Sequence, residues 1–241
     1  MALLDADIRE PLFEFLEDTF GKIRIIEEKT IGRSRADVVM VTEKDLIGIE
    51  IKSDADTYAR LSTQVRDYDK YYDFNYVVVG STHALHIREH VPEYWGVITV
   101  ELVDGEPDFY ILREPELNPK VTWTRKLEIL WRPELAMIQE WNSMPKYKDR
   151  SKLFVKDKII EYLEKGKIIE DTLKNQVSEL LLERDYNNIS SVLQEYRKNE
   201  AARKHAKEND PAMQEKLKAQ RELAKKNFKP RKRRRRRRRE V

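Results

Sequence analysis

Two short apolar runs lie close together, Arg35–Val41 and Leu46–Lys52. Their length and β-branched content predict strands, and Thr42–Asp45 between them predicts a hairpin turn. Side chains alternate along a strand, so Ile47, Ile49 and Ile51 share one face. Glu50 and Lys52 share the other, with Gly48 clearing space beside them. Pairing of the two strands brings Asp37 near Glu50, so two carboxylates and an ammonium converge at one end of a small sheet.

The pattern around this hairpin supplies the rest of a fold. Residues 7–19 have helical spacing at Ile8, Leu12, Phe15 and Leu16, with Asp7 as N-cap, Glu10 three residues on and Pro11 in the first turn. Gly21 stops that helix, and Lys22–Glu28 reads as a strand leading into a turn at 32–35. Ser53–Asp56 reads as a turn and cap for a helix reaching Tyr72, with the apolar stripe Leu61, Val65, Tyr68, Tyr72. Asn75–Gly80 has the continuous apolar form of a central strand. His83, His86 and His90 follow at one-face helical spacing; without a carboxylate or cysteine partner, this reads as a helix surface rather than a metal site. Val97–Leu102, a turn at Asp104-Gly105 and Pro107–Leu112 form a hairpin.

Further on, 115–124 reads as an extended surface linker. Arg125–Trp141 reads as one amphipathic helix marked by Leu127, Leu130, Trp131, Leu135, Ile138 and Trp141. Asp157–Leu163 and Ile168–Tyr196 continue as helices. The order of elements predicts an α/β chain: a mixed sheet flanked by helices over 1–114, a helical appendage over 115–197 and a basic, disordered tail over 198–241. The appendage also offers a surface for a homodimer or another protein partner.

Charge changes this picture at one end only. The 241 residues carry a net +3, but 198–241 hold 19 Lys/Arg against 6 Asp/Glu, a net +13 that leaves the rest at −10. The acidic body does not attract a polyanion; the tail, with Arg231, Lys232, Arg233, Arg234 and Arg235 in its basic run, does so without sequence preference. There is no cysteine, which excludes disulfides and thiolate metal sites. No stretch has the length of a bilayer span and the N-terminus lacks a signal-peptide pattern, so the expected compartment is the cytoplasm, with no membrane partner.

The hairpin end carries the candidate chemistry. Hard divalent cations take carboxylate oxygens together with water and substrate phosphate. A bound cation lowers the pKa of water and offsets charge growing on a phosphate oxygen, and a nearby lysine steadies the nucleophile or transition state. Asp37, Glu50 and Lys52 therefore suit a phosphodiesterase centre. The plainer reading is an exposed strand with an ordinary Glu–Lys pair. Glu28 also lies where it can point at the centre, while Glu10 reads as a cap partner and Glu14 as part of a solvated face of the first helix. Glu27 and Glu28 alternate across the strand, so only one of them can point at the centre. Arg33 and Arg35 either meet phosphate or neutralise carboxylates, and Arg60 either meets phosphate or pairs with Asp56.

Asp37, twelve residues, then Glu50-Ile-Lys52 resembles the PD-(D/E)XK nuclease signature. Glu50–Thr57, Arg60-Leu61 with Gln64, and Val91–Val97 resemble a bacterial and phage branch of that superfamily, close to the MmcB-like DNA-repair proteins. Ala36 stands where the family name has proline, a position that is not a ligand. The resemblance implies a restriction-endonuclease-like core, Mg²⁺ or Mn²⁺ held by Asp37, Glu50 and the Ile51 carbonyl, a first-helix carboxylate (Glu10 or Glu14) facing that metal, and Gln64 as a positioning group beside Lys52. It implies endonuclease action on DNA in repair or phage nucleic-acid processing. The alternatives are a catalytically inactive nuclease fold that binds nucleic acid or a protein partner, and an RNA-directed role for the arginine tail.

Overall fold

The expected hairpin lies inside a six-stranded sheet whose strands stand in chain order. They are β1 Arg24–Ile31, β2 Ser34–Val41, β3 Leu46–Lys52, β4 Phe74–Gly80, β5 Gly96–Val103 and β6 Glu106–Arg113. The pairs β3/β4 and β4/β5 are parallel, and the other three are antiparallel. Parallel neighbours require crossovers; α2 (Leu61–Tyr71) lies in the first, and α3 (Ser81–Ala84) with a 3₁₀ turn at Ile87–Glu89 lies in the second. The computed structural model describes residues 3–184. The basic tail with Arg231–Arg235, and the predicted helix beyond 184, lie outside the described residues.

Alternation along β3 sorts the core into two layers. Ile47, Ile49 and Ile51 pack with Val38, Met40 and Val78 against Ile8, Leu12 and Leu16 of α1 (Asp5–Phe20). On the other face, Val39, Val77 and Val79 meet Leu61, Tyr68 and Tyr72. That second layer continues into α4 (Trp123–Lys126), α5 (Arg132–Trp141), α6 (Lys152–Glu164) and α7 (Glu170–Leu182). Every position of β3 is buried, so Glu50 and Lys52 sit inside the protein rather than on an open strand. The chain is a mixed α/β sheet flanked by helices, and residues up to Arg184 form one compact unit. Among the described residues, no helix is long and apolar enough to cross a membrane.

Several expectations change. The first helix starts at Asp5, and Asp7 accepts the Leu4 N–H at 3.0 Å from inside the first turn instead of standing outside as the cap. The predicted Arg125–Trp141 helix is broken after Lys126. Pro133 cannot donate within a running helix but suits a first turn, and Glu134 accepts the Trp131 N–H at 2.6 Å to start α5 afresh. The 115–124 segment is pinned: buried Asn118 donates to Asp69 O at 2.8 Å and Tyr72 O at 2.7 Å, satisfying carbonyls at the end of α2. The three histidines do not line one helix face. His83 Nδ1 meets the Tyr58 hydroxyl at 2.8 Å, His90 stacks on the Tyr58 ring, and His86 pairs with Glu89.

Candidate metal centre

The centre forms where β2 and β3 part. Their last paired residues are Val38 and Ile49. Continued pairing would set Asp37 opposite Glu50. Instead the Asp37 side chain takes the ladder's place, and its Oδ2 accepts the Ile51 N–H at 2.9 Å. In an extended strand the N–H and C=O of one residue point to the same side, so the Ile51 carbonyl faces the gap left by the parting strands.

Tyr68 of α2 joins the two acids. Its hydroxyl lies 2.8 Å from Glu50 Oε2 and accepts the Asp37 N–H at 3.1 Å. The bare α-carbon of Gly48 admits this ring, since a Cβ there would overlap both Tyr68 and Tyr72. Gln64, one turn before Tyr68, reaches the same place. Lys52 Nζ donates to Glu50 Oε1 at 2.6 Å and to Gln64 Oε1 at 3.2 Å, while Gln64 Nε2 donates back to Glu50 Oε1. The Glu50 and Lys52 side chains are only 1% and 6% exposed. Asp37, Glu50, Lys52, Gln64 and the Ile51 main chain, all singled out from the sequence, thus come together.

The two acids are in electrostatic tension. Burial, then the neighbouring Glu50 charge, pushes the Asp37 carboxyl up to about 7 against the Ile51 hydrogen bond, Lys52 and Arg9. Burial also raises the Glu50 carboxyl, although Lys52 and the Tyr68 hydroxyl pull it back. Removing water disfavours both anions, and a like charge adds to it in each case, Glu50 on Asp37 and Asp56 on Glu50. Positive charge brought between them relieves both effects. Two carboxylates and a carbonyl suit a hard cation that completes its shell with water and phosphate. Among the described residues no group of three or more His, Cys, Asp and Glu is arranged around a metal position, so the donor set depends on the main-chain carbonyl.

The remaining expected residues divide. Glu10 is exposed; the α1 side chain that reaches the centre is the preceding Arg9. Its Nη1 donates to Asp37 O at 3.3 Å, and its Nη2 lies 3.7 Å from Asp37 Oδ1. Glu28 does come to the edge of the centre, but it is bound by Arg9 at 2.9 Å and by Arg35. Arg35 is therefore a neutralising group here. Glu28 has φ 54° and drops out of the β1/β2 register, a strained conformation for a residue with a Cβ. Glu27 reaches Arg9 as well, at 3.5 Å, so the two neighbours meet one guanidinium where strand alternation predicts opposite faces. Arg33 and Arg60 are exposed. The Asp56 carboxylate turns to Ser53, accepting its N–H at 2.9 Å and its hydroxyl at 2.7 Å, instead of pairing with Arg60.

Sequence reasoning missed Arg9. An Asp5–Arg9 pair at i, i+4 is visible in the chain, but it signals a helix surface; the approach to Asp37 is purely tertiary. The Val91–Val97 motif acts at a distance: the Tyr94 hydroxyl and Trp95 Nε1 donate to Asp69 at 2.7 and 2.9 Å and so brace the helix that carries Gln64 and Tyr68.

The profile of a family described as bacteriophage P4 protein cII matches residues 3–210. The chain belongs to the phage P4 cII family. The match takes in all of the elements from α1 to α7, and so every residue that builds the centre of this P4 cII family member. No curated protein and no solved structure matches the chain.

Proposed function

We propose that this P4 cII family protein is a divalent-metal-dependent phosphodiesterase of the PD-(D/E)XK type, with a restriction-endonuclease-like core, that cuts DNA in phage nucleic-acid processing or repair. The observation that carries this reading is the convergence of Asp37 and Glu50 with Lys52 where two strands part. Asp37, Glu50 and the Ile51 carbonyl are the oxygen donors for Mg²⁺ or Mn²⁺. When bound, the cation supplies charge to the scissile phosphate and acidity to a water.

The chain's own residues do the rest. Lys52 offers ammonium protons to the attacking water or to the phosphate oxygens. Gln64 fixes Lys52 by accepting from Nζ while it donates to the same Glu50 oxygen that Lys52 holds. Tyr68 sets the spacing of the two acids by bonding Glu50 and the main chain of Asp37. Removing Gln64 leaves the charges in place but loosens their geometry, which lowers kcat more than it weakens metal binding. The acidic body needs help to retain a polyanion, and the arginine-rich sequence of 231–239 supplies it, with steep salt dependence.

The test is cleavage of single-stranded, duplex and branched DNA, with RNA in parallel, in Mg²⁺ or Mn²⁺. The wild type turns over at least one DNA substrate, and Asp37→Asn turns over none. Equal cleavage by both proteins, or none by the wild type on any substrate, defeats the reading. One observation favours a second reading: Lys52, Gln64 and Tyr68 already satisfy Glu50 internally, as in a nuclease fold kept for binding. Metal-independent DNA retention without turnover is its signature.

A further inference from the structure

Arg9 is nearly enclosed, with its side chain 16% exposed, and it is ringed by acids. Nε binds Asp5 Oδ2 at 2.7 Å, Nη1 stands 3.5 Å from Glu27, and Nη2 stands 2.9 Å from Glu28 and 3.7 Å from Asp37 Oδ1. Asp37 therefore has two different sides. Its Oδ2 accepts the Ile51 N–H, and its Oδ1 is turned to the guanidinium. A two-ion phosphodiesterase sets a second positive charge about 3.5–4 Å from the first. Here the outer side of the Asp37 carboxylate already faces a fixed monovalent cation. Glu28 holds φ 54° opposite Asp37, the one position left out of an otherwise continuous β1/β2 register, and its carboxylate meets Arg9 and Arg35 together.

We propose that Arg9 stands in for a second divalent ion, so that the centre of this protein takes one metal and uses the guanidinium as its other positive charge. This rests on the metal-centre reading given above and concerns the number of ions it holds. A guanidinium is planar, permanently charged and weakly hydrated compared with an ammonium, so it can occupy a partly dry acid ring where a divalent ion would need several oxygens at about 2.0–2.2 Å. Arg9 is thus a positioning residue. It holds Asp37 Oδ1 outward and leaves Oδ2 and Glu50 for the single ion.

The test is a calorimetric titration of the metal-stripped full chain with Mn²⁺, comparing wild type, Arg9→Ala, Arg9→Lys and the double variant Arg9→Ala/Glu28→Gln. Thermal unfolding of each confirms that the titrated protein is folded. The expected stoichiometries are one ion for the wild type and Arg9→Lys, two for Arg9→Ala, and one again for the double variant, which lacks an oxygen ligand of the new position. A merely structural arginine changes stability without adding a binding event. Two ions in the wild type, or only one in folded Arg9→Ala, overturns the role of Arg9 and leaves the metal centre standing. If Arg9→Ala is unfolded, two ions in Arg9→Lys overturns the role, since a lysine keeps the charge. No ion in any protein overturns the centre and this inference with it.

Discussion

Lys52→Met is the perturbation that separates the buried charge cluster from an ordinary surface pair. The Lys52–Glu50 contact is 2.6 Å, with both side chains almost wholly enclosed. Removing one partner of a buried pair strands the other charge, which costs about 3–5 kcal/mol. Glu50 would keep its bonds from Gln64 and Tyr68, so the expected loss lies near the lower end, about 3 kcal/mol. Glu50 already has a raised pKa, with burial as the main cause, and losing Lys52 raises it further. A carboxyl whose folded pKa exceeds its unfolded value takes up a proton on folding, so stability falls as pH rises through that window. The loss is therefore small near pH 4 and full at pH 8. Urea unfolding in EDTA at the two pH values measures it, with Lys52→Met/Glu50→Gln as the companion variant. That double variant regains most of the loss at pH 8, because no charge is left stranded. A single variant within about 1 kcal/mol of wild type at pH 8, or a double variant no better than the single, refutes the buried-pair reasoning.

Asp37→Asn behaves in the opposite way. Asp37 titrates at about 7 instead of its usual 3.8, so in the metal-free protein stability drops as pH rises between those values, by about 2–4 kcal/mol in all. The variant is more stable than wild type at pH 8 and equal to it near pH 4, read by thermal unfolding in EDTA. Gly48→Ala drives a methyl into the Tyr68 and Tyr72 rings and costs about 1–3 kcal/mol by overpacking, with loss of the Tyr68 bonds; denaturant midpoints check it, and a neutral result contradicts the packing. Asn118→Ala leaves the Asp69 and Tyr72 carbonyls without their donor and lowers stability by about 1–3 kcal/mol in the same assay.

Much of the centre is legible in the chain because a strand's two-residue period is rigid. Once Leu46–Lys52 is a strand, Glu50 and Lys52 must share a face, and the stripe of α2 then places Gln64 and Tyr68 above them. What the period does not encode is where pairing stops. The parting of β2 from β3 turns Asp37 into a ladder acceptor, and the positive φ at Glu28 accompanies two neighbouring glutamates that meet one arginine. Both follow from tertiary contacts across many residues. Pro133 encodes the α4/α5 break, while the amphipathic spacing runs straight across it. Histidine spacing predicts a helix face, but Tyr58, far back in the chain, gathers His83 and His90 instead.

The most direct measurement is an anomalous difference map from crystals grown in Mn²⁺. The account predicts a single peak lying within coordination distance of an Asp37 oxygen, a Glu50 oxygen and the Ile51 carbonyl. A map without a peak between these atoms at saturating Mn²⁺, or with Lys52 Nζ still seated there as the only cation, contradicts it.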